Sequence, residues 1–376
     1  MNLTGIIPPP EDRHETFVLN VGPQHPATHG VLRLKLTMDG EVVTRCEPVC
    51  GYIHRMHEKM GENRTWAQFL PNPSRIDYLG AMMYCHAHVA AVERAAQIVV
   101  PPRAEYIRVI TSELNRISSH LVWFGAFLLD LGGFTPLLYA FDDREKILDL
   151  LEALTGARLT YCYYRFGGVL NDVDDDFIRG AREIVKYMRP RLKMYDKLVT
   201  GNIILQKRLI DIGPIDEAMC RRYGATGPVI RGAGVPYDVR KCEPYSVYGD
   251  FDFEIPTFPE GDCMARYLVR MHEIEQSLRI VEQALDKLPD GPVMATAVPK
   301  MLKPVAGDYT FAVEAARGRF MVRVVSNGTN TPYRMRLRSP SFSNLSLFEE
   351  ASRGMMLPDA LALLGSLDLV IPEIDR

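Results

Sequence analysis

Two histidines with three residues between them, in Gly22-Pro-Gln-His25-Pro-Ala-Thr-His29-Gly30, are the groups in this 376-residue chain best suited to proton chemistry. Imidazole is the side chain whose unperturbed pKa lies nearest neutrality, so such a pair can take up or release protons at physiological pH. Pro23 and Pro26 fix φ, and Gly22 and Gly30 permit backbone conformations closed to other residues, so the loop is stiff. A pair of solvated loop histidines is the alternative reading, because titratable clusters mark sites only statistically.

A loop of this kind needs strands to hold it. Thr16–Val21 is expected to lead in and Val31–Met38 to lead out, since Leu32, Leu34, Leu36 and Met38 alternate with Arg33, Lys35 and Thr37. Asp39-Gly40 signals a hairpin, with Glu41–Glu47 returning. Helices follow: Ile76–Val100, Arg103–Leu131, Asp143–Leu154, Asp174–Val199 with a kink at Pro190, Ile215–Tyr223 and Cys263–Leu288. Strands return over Tyr309–Val313, Arg319–Val325 and Tyr333–Leu337, and a last helix covers 357–365. Arg334, Arg336 and Arg338 share one face of the last strand, either as a solvated face or as a contact for a carboxylate-rich partner. The expected organisation is an arm over 1–15, a β region with the histidine loop over 16–60, a helical body over 61–305, and a C-terminal β segment and tail over 306–376, in one compact α+β, mainly α, unit.

Composition excludes several classes. Hydrophobic content of 47% with 24% charged residues is that of a globular protein, and a net charge of −3 provides no field for nucleic acid or anionic lipid. Seven cysteines, with no C-x-x-C pair, argue for a reducing compartment rather than a disulfide scaffold. The N-terminal segment has neither the basic region nor the apolar core of a signal peptide. Leu121–Phe141 is long enough to span a bilayer, yet Asp130, Gly132, Gly133 and Pro136 interrupt it. A buried helix that ends at the glycine pair is expected, with membrane contact only through partners.

Cofactor motifs are equally restrictive. There is no phosphate-binding G-x-x-x-x-G-K-[ST] run, and Arg231-Gly-Ala-Gly-Val235 lacks the third glycine of a dinucleotide fingerprint. His54-x-x-His57-Glu58 and Cys85-His86-x-His88 have poor spacing for a metal. No nucleotide, nickel or iron–sulfur cluster is expected on this chain.

The runs GPQHPATHGVLRL, GYIHR, ENRTW, RIDY and GATGP and the ending EIDR make the chain resemble the quinone-site subunit of respiratory complex I, the 49 kDa or D subunit, over residues 16–376. That family shares its fold with the large subunit of nickel–iron hydrogenases, so the resemblance implies a hydrogenase-like helical bundle with flanking β segments. Hydrogenases hold their metals with four thiolates. The matching positions here are Asp77, Gly80, Val370 and Glu373, and soft-metal binding needs sulfur. The resemblance implies instead a quinone cavity with two proton donors, His29 and Tyr78, one for each carbonyl, and His25 nearby. Asp130, costly in an apolar helix unless paired, would orient His29 and stabilise its protonated form.

The resemblance also implies partners. Electrons would come from the iron–sulfur cluster of the small B subunit, with Arg55 and Arg165 near that cluster and raising its potential. The C subunit and the membrane-embedded H subunit would complete the surroundings, placing the chain peripherally on the cytoplasmic side of a bacterial inner membrane. One departure stands out: many relatives carry a histidine where this chain has Thr160. Threonine cannot gain a proton near neutrality, so the partner cluster should have a low, nearly pH-independent potential, which favours menaquinone over ubiquinone. Two rivals are a membrane-bound hydrogenase large subunit, which nickel analysis would reveal, and a non-catalytic scaffold, in which replacing His29 or Tyr78 leaves quinone reduction intact. The electron donor that feeds the complex is not encoded in this chain.

Overall fold

The computed structural model describes residues 16–24 and 30–376. Helices dominate it, and small antiparallel sheets sit toward both ends of the chain. Strands β1 (Thr16–Val21), β2 (Arg33–Asp39) and β3 (Val42–Val49) form the first sheet, in that order. The predicted alternation is realised in β2: Leu34, Leu36 and Met38 are buried, while Arg33, Lys35 and Thr37 lie on the other face. Gly40, at φ +59°, makes the turn into β3. A two-stranded ribbon, β4 (Tyr164–Arg165) and β5 (Gly168–Val169), has no sequence signal of its own. Strands β6 (Gly307–Ala315), β7 (Gly318–Ser326) and β8 (Arg334–Arg338) form the C-terminal sheet.

Five long helices build the body. Helix α1 (Ala81–Ala96) packs on β6 and β7, and α2 (Pro102–Asp130) runs through the middle against α3 (Phe134–Thr155) and α5 (Cys263–Asp286). Helix α4 (Asp175–Tyr195) lies against α3 and α5. At 1.5 Å per residue α2 is about 43 Å long. Its first two-thirds bury charges: Arg108 pairs with Glu93 on α1 at 2.6 Å, Glu113 with Arg116 at 3.1 Å, and His120 with Glu273 on α5 at 3.0 Å. Asp174 and Asp262 cap α4 and α5 by accepting the N–H of Phe177 and Ala265.

Several expectations are corrected. The helix expected from Ile76 begins at Ala81, because the Asp77 carboxylate accepts the N–H groups of Leu79 and Gly80 and folds residues 77–80 into a turn. It ends at Ala96, where Gln97 turns left-handed at φ +56°. The helix expected from Asp143 starts nine residues earlier, at Phe134. Pro136 falls in its first turn, where no intrahelical N–H is needed. The apolar run Leu121–Phe141 is therefore split between two helices at Gly132 and Gly133. Among the described residues no helix is long and apolar enough to cross a membrane. Helix α4 continues through Pro190 and then loosens into a π-turn over Asp196–Thr200. The arginine face of β8 finds carboxylates within the chain: Arg334 bonds Glu62 at 2.6 Å, and Arg334 and Arg336 both reach Glu58 at 3.4 Å.

Candidate functional site

Six segments, the loop that carries Ile53 among them, converge on a cavity of about 690 Å³. Helix α2 supplies Val122, Trp123, Ala126, Leu129 and Asp130, whose spacing puts them on one face of the helix. Tyr78 and Leu79 come from the turn before α1. Arg317 comes from the β6–β7 turn, and Asp368–Val370 with Pro372 from the segment that ends in the short helix Ile371–Asp375. Pro23, Gln24, Gly30 and Val31, the two ends of the β1–β2 connection, complete the wall. Gly22 is obligatory there: at φ +87°, an added Cβ would lie 2.0 Å from the Leu32 carbonyl oxygen. His25 and His29 lie outside the described residues, but the backbone on both sides of them borders the cavity.

Tyr78 is half-buried on this wall. Burial raises the pKa of its phenol, and the Asp77 carboxylate raises it further; Arg317 opposes that and Asp368 adds to it. Asp130 is on the wall too, but not for the expected reason. It is the last residue of α2 and exposed, so its charge is not held in apolar surroundings, and the argument that burial demands a partner does not apply. What carries over is its place on the cavity, on the same helix face as the buried Trp123. Trp123 is anchored by its indole N–H to the Gly365 carbonyl at 2.8 Å, by stacking on Phe127 and by the Arg270 guanidinium 4.4 Å above its ring.

The segments carrying Asp77, Gly80, Val370 and Glu373 do come together. Asp77 and Asp368 are bridged by Arg317, at 3.1 and 3.0 Å. Glu373 is fully buried; burial and then Asp77 hold its carboxyl well above the usual range. The rim is rich in oxygen, but Arg317 neutralises much of it. Among the described residues no group of three or more His, Cys, Asp or Glu is placed to hold a metal. Of the weak metal candidates, His57, His86 and His88 are buried in the core, whereas His54 is exposed. His88 packs edge-on to Phe69 and Phe166, His86 to Tyr164 and Tyr245, and burial pushes both imidazoles down to about 3. His57 is pushed down to about 4 by burial and then by Arg55.

Around the buried Cys85 lie Arg75, which Arg55 meets, Arg165, and Tyr161, which follows Thr160. Arg55 donates to the Arg75 carbonyl at 2.6 Å, and burial followed by the Arg75 charge lowers its pKa. Arg165 donates to the Cys162 carbonyl at 2.6 Å. The buried Cys85 thiol donates to the carbonyl of Tyr161, the residue after Thr160, and feels both Arg75 and Arg165. Thr160 is half-buried, with φ +50°, a conformation unfavourable for a β-branched residue. Residues 73–80 therefore link the two regions, with Arg75 on this side and Tyr78 on the cavity.

Sequence reasoning missed Trp123, Arg317 and Asp368. Trp123 was legible in principle, seven residues before Asp130 and hence on the same helix face. Arg317 and Asp368 gave no local signal, since only packing brings them to the cavity.

Comparison with known proteins shows the family of the chain. The family described as "Respiratory-chain NADH dehydrogenase, 49 Kd subunit" matches residues 130–306 and 296–376. The chain is 73% identical over 363 residues to a D subunit of NADH-quinone oxidoreductase from Opitutus terrae, covering 96% of this chain and 91% of that protein. It is 67% identical over 362 residues to the D subunit of NADH-quinone oxidoreductase from Desulfotalea psychrophila, covering 96% and 97%. To the protein of the same name from Syntrophobacter fumaroxidans it is 56% identical, again over 96% and 97%.

Proposed function

Because the chain belongs to the family of the 49 kDa subunit of respiratory-chain NADH dehydrogenase, we propose that it is the quinone-site subunit of a proton-translocating NADH:quinone oxidoreductase, active only within the complex. The observation that carries this reading is the cavity itself. Its volume of about 690 Å³ suits a small aromatic headgroup, its walls are mostly apolar, and a few polar groups converge on it.

A quinone that accepts two electrons needs two protons to become quinol. Tyr78 supplies one from its hydroxyl, and His29 the other from its imidazolium; solvent restores both. Tyr78 suits the task because its raised pKa keeps it protonated until a strong base, the reduced ring, is beside it. Asp130 stabilises the protonated form of His29, and His25 lies in the same loop. The electrons come from the iron–sulfur cluster of the neighbouring small B subunit, against the face formed by Arg55, Thr160 and Arg165. The C and H subunits are further partners, and the chain sits peripherally on the cytoplasmic side of a bacterial inner membrane. Menaquinone is the favoured substrate, because Thr160 cannot take up the proton that would raise the cluster's potential.

Photocrosslinking tests the cavity assignment. A quinone with a photoreactive group on its ring, bound to the purified complex, should label peptides containing Tyr78 or residues 122–130. Labelling confined to other peptides or subunits would overturn the reading.

A further inference from the structure

Behind one wall of the cavity stand four buried charges. Arg317 donates from Nη1 to Asp77 Oδ2 at 3.1 Å and to Ser119 Oγ at 2.7 Å, and from Nη2 to Asp368 Oδ1 at 3.0 Å. Arg270 Nε lies 3.8 Å from the other Asp368 oxygen. Two guanidinium groups and two carboxylates balance formally, as a cluster this deeply buried requires. Their places are not equivalent. Arg317 and Asp368 border the cavity, and Asp77 and Arg270 do not.

Among the described residues on the wall, Arg317 is the only cation. Its Nε–H has no acceptor among them, and the carboxylates and Ser119 engage three of the guanidinium's five N–H donors. Burial works against its charge, but Asp368 and Asp77 more than offset that, and its pKa is raised. Asp368 is held at φ +54°, a conformation that non-glycine residues adopt only where the surroundings impose it. The groups that hold the Arg317 guanidinium come from three distant parts of the chain, at Asp77, Ser119 and Asp368, so it is fixed in place. A fixed cation discriminates by charge: it does little for a neutral quinone and more for the reduced, anionic ring.

We propose that Arg317 is the fixed cation that stabilises the negative charge of the reduced quinone ring, and that Asp368 sets how much of its field reaches the cavity. This rests on the cavity being the quinone site. Electrons still arrive from the neighbouring subunit's cluster and protons from Tyr78 and His29. Arg317 transfers neither and lowers the cost of the charge that exists between the two events. Because it acts before protonation is complete, its effect belongs to the charged form of the ligand and not to affinity in general.

The test uses two ligands of nearly equal shape on the purified complex: the hydroxynaphthoquinone lawsone, an anion at neutral pH, and its neutral methyl ether. Arg317→Gln should lower the ratio of anion to neutral affinity on the order of tenfold, and Asp368→Asn should raise it by a similar factor, as expected for one charge roughly 5 Å away at an effective dielectric of roughly 50, between a protein surface and water. Arg317→Lys, which keeps the charge, should stay near the wild-type ratio. Equal changes for both ligands, or an unchanged ratio in Asp368→Asn, overturn the proposal, and the latter arm decides even where Arg317→Gln fails to assemble. If the wild-type complex binds neither ligand, the cavity assignment falls and this inference with it.

Discussion

Removing one hydroxyl at Tyr78 is the sharpest perturbation of the proposed chemistry. Tyr78→Phe keeps the ring and its packing. Among the described residues no hydrogen bond engages the hydroxyl, so the change should cost folding within about 0.5 kcal/mol. If the hydroxyl donates in the transition state, quinone reduction should fall about 100- to 10,000-fold, the usual range of an acid–base contribution. That corresponds to about 3–5 kcal/mol of barrier at about 1.4 kcal/mol per tenfold, several times the stability cost. The pH dependence follows from the same environment. Burial and then Asp77 raise the phenol's pKa from an ordinary value near 10, so Tyr78 remains a donor throughout the neutral and mildly alkaline range. Tyr78 should therefore contribute no alkaline limb below about pH 10 in the wild type. The assay compares the rate with a short-chain quinone against the rate with an artificial acceptor that takes electrons upstream of the cavity. The first should collapse and the second persist. An intact quinone rate would refute the role of Tyr78, and equal loss of both rates would mean that the variant does not assemble.

Three further outcomes are expected. Asp130→Asn removes the charge proposed to stabilise protonated His29. The apparent pKa of proton delivery should fall, and activity should drop more at pH 8 than at pH 6; a uniform loss would make Asp130 merely structural. Redox titration of the partner cluster by electron paramagnetic resonance at pH 6 and pH 8 should show almost no shift, whereas about 59 mV per unit would refute the reading of Thr160. Thr160→His should install that dependence, and histidine tolerates the φ of +50° at this position better than threonine. Glu113 receives Arg116, Arg240, Tyr248 and Ser277; burial alone would raise its pKa, but the two arginines foremost push it down to about 2. Glu113→Gln should cost about 3–5 kcal/mol in denaturation of the complex, and a cost below about 1 kcal/mol would show that the arginines find other acceptors. The folded carboxyl titrates below its unfolded value, so this contribution is complete above about pH 4.5 and is lost as pH falls toward 2.

The long helices were legible because their determinants are local. The period of their apolar residues, the aspartates that cap α4 and α5, and the Pro101-Pro102 and Gly132-Gly133 boundaries all lie within a few residues of one another. Boundaries failed where a local rule competed with another. Asp77 satisfies two backbone N–H groups and delays α1, and Pro136 reads as a breaker although the first turn of α3 accepts it. The arginine stripe on β8 was visible, but its partners Glu58 and Glu62 lie more than 270 residues away.

By itself the sequence determined the groups that are available here: a phenol at Tyr78, two imidazoles in the 22–30 loop, no sulfur at positions 77, 80, 370 and 373, and a mainly helical body. Residue type decides those matters, because a hydroxyl, an imidazole or a missing thiolate has its properties wherever it sits. Only the tertiary structure decided which residues share a cavity and what field acts there. Arg317 meets Asp77 and Asp368 across separations of 240 and 51 residues. Asp130 proved to be an exposed helix end rather than a buried charge. Burial and the distances between charges set both the cost of a charge and its reach, and neither quantity exists until the chain has packed.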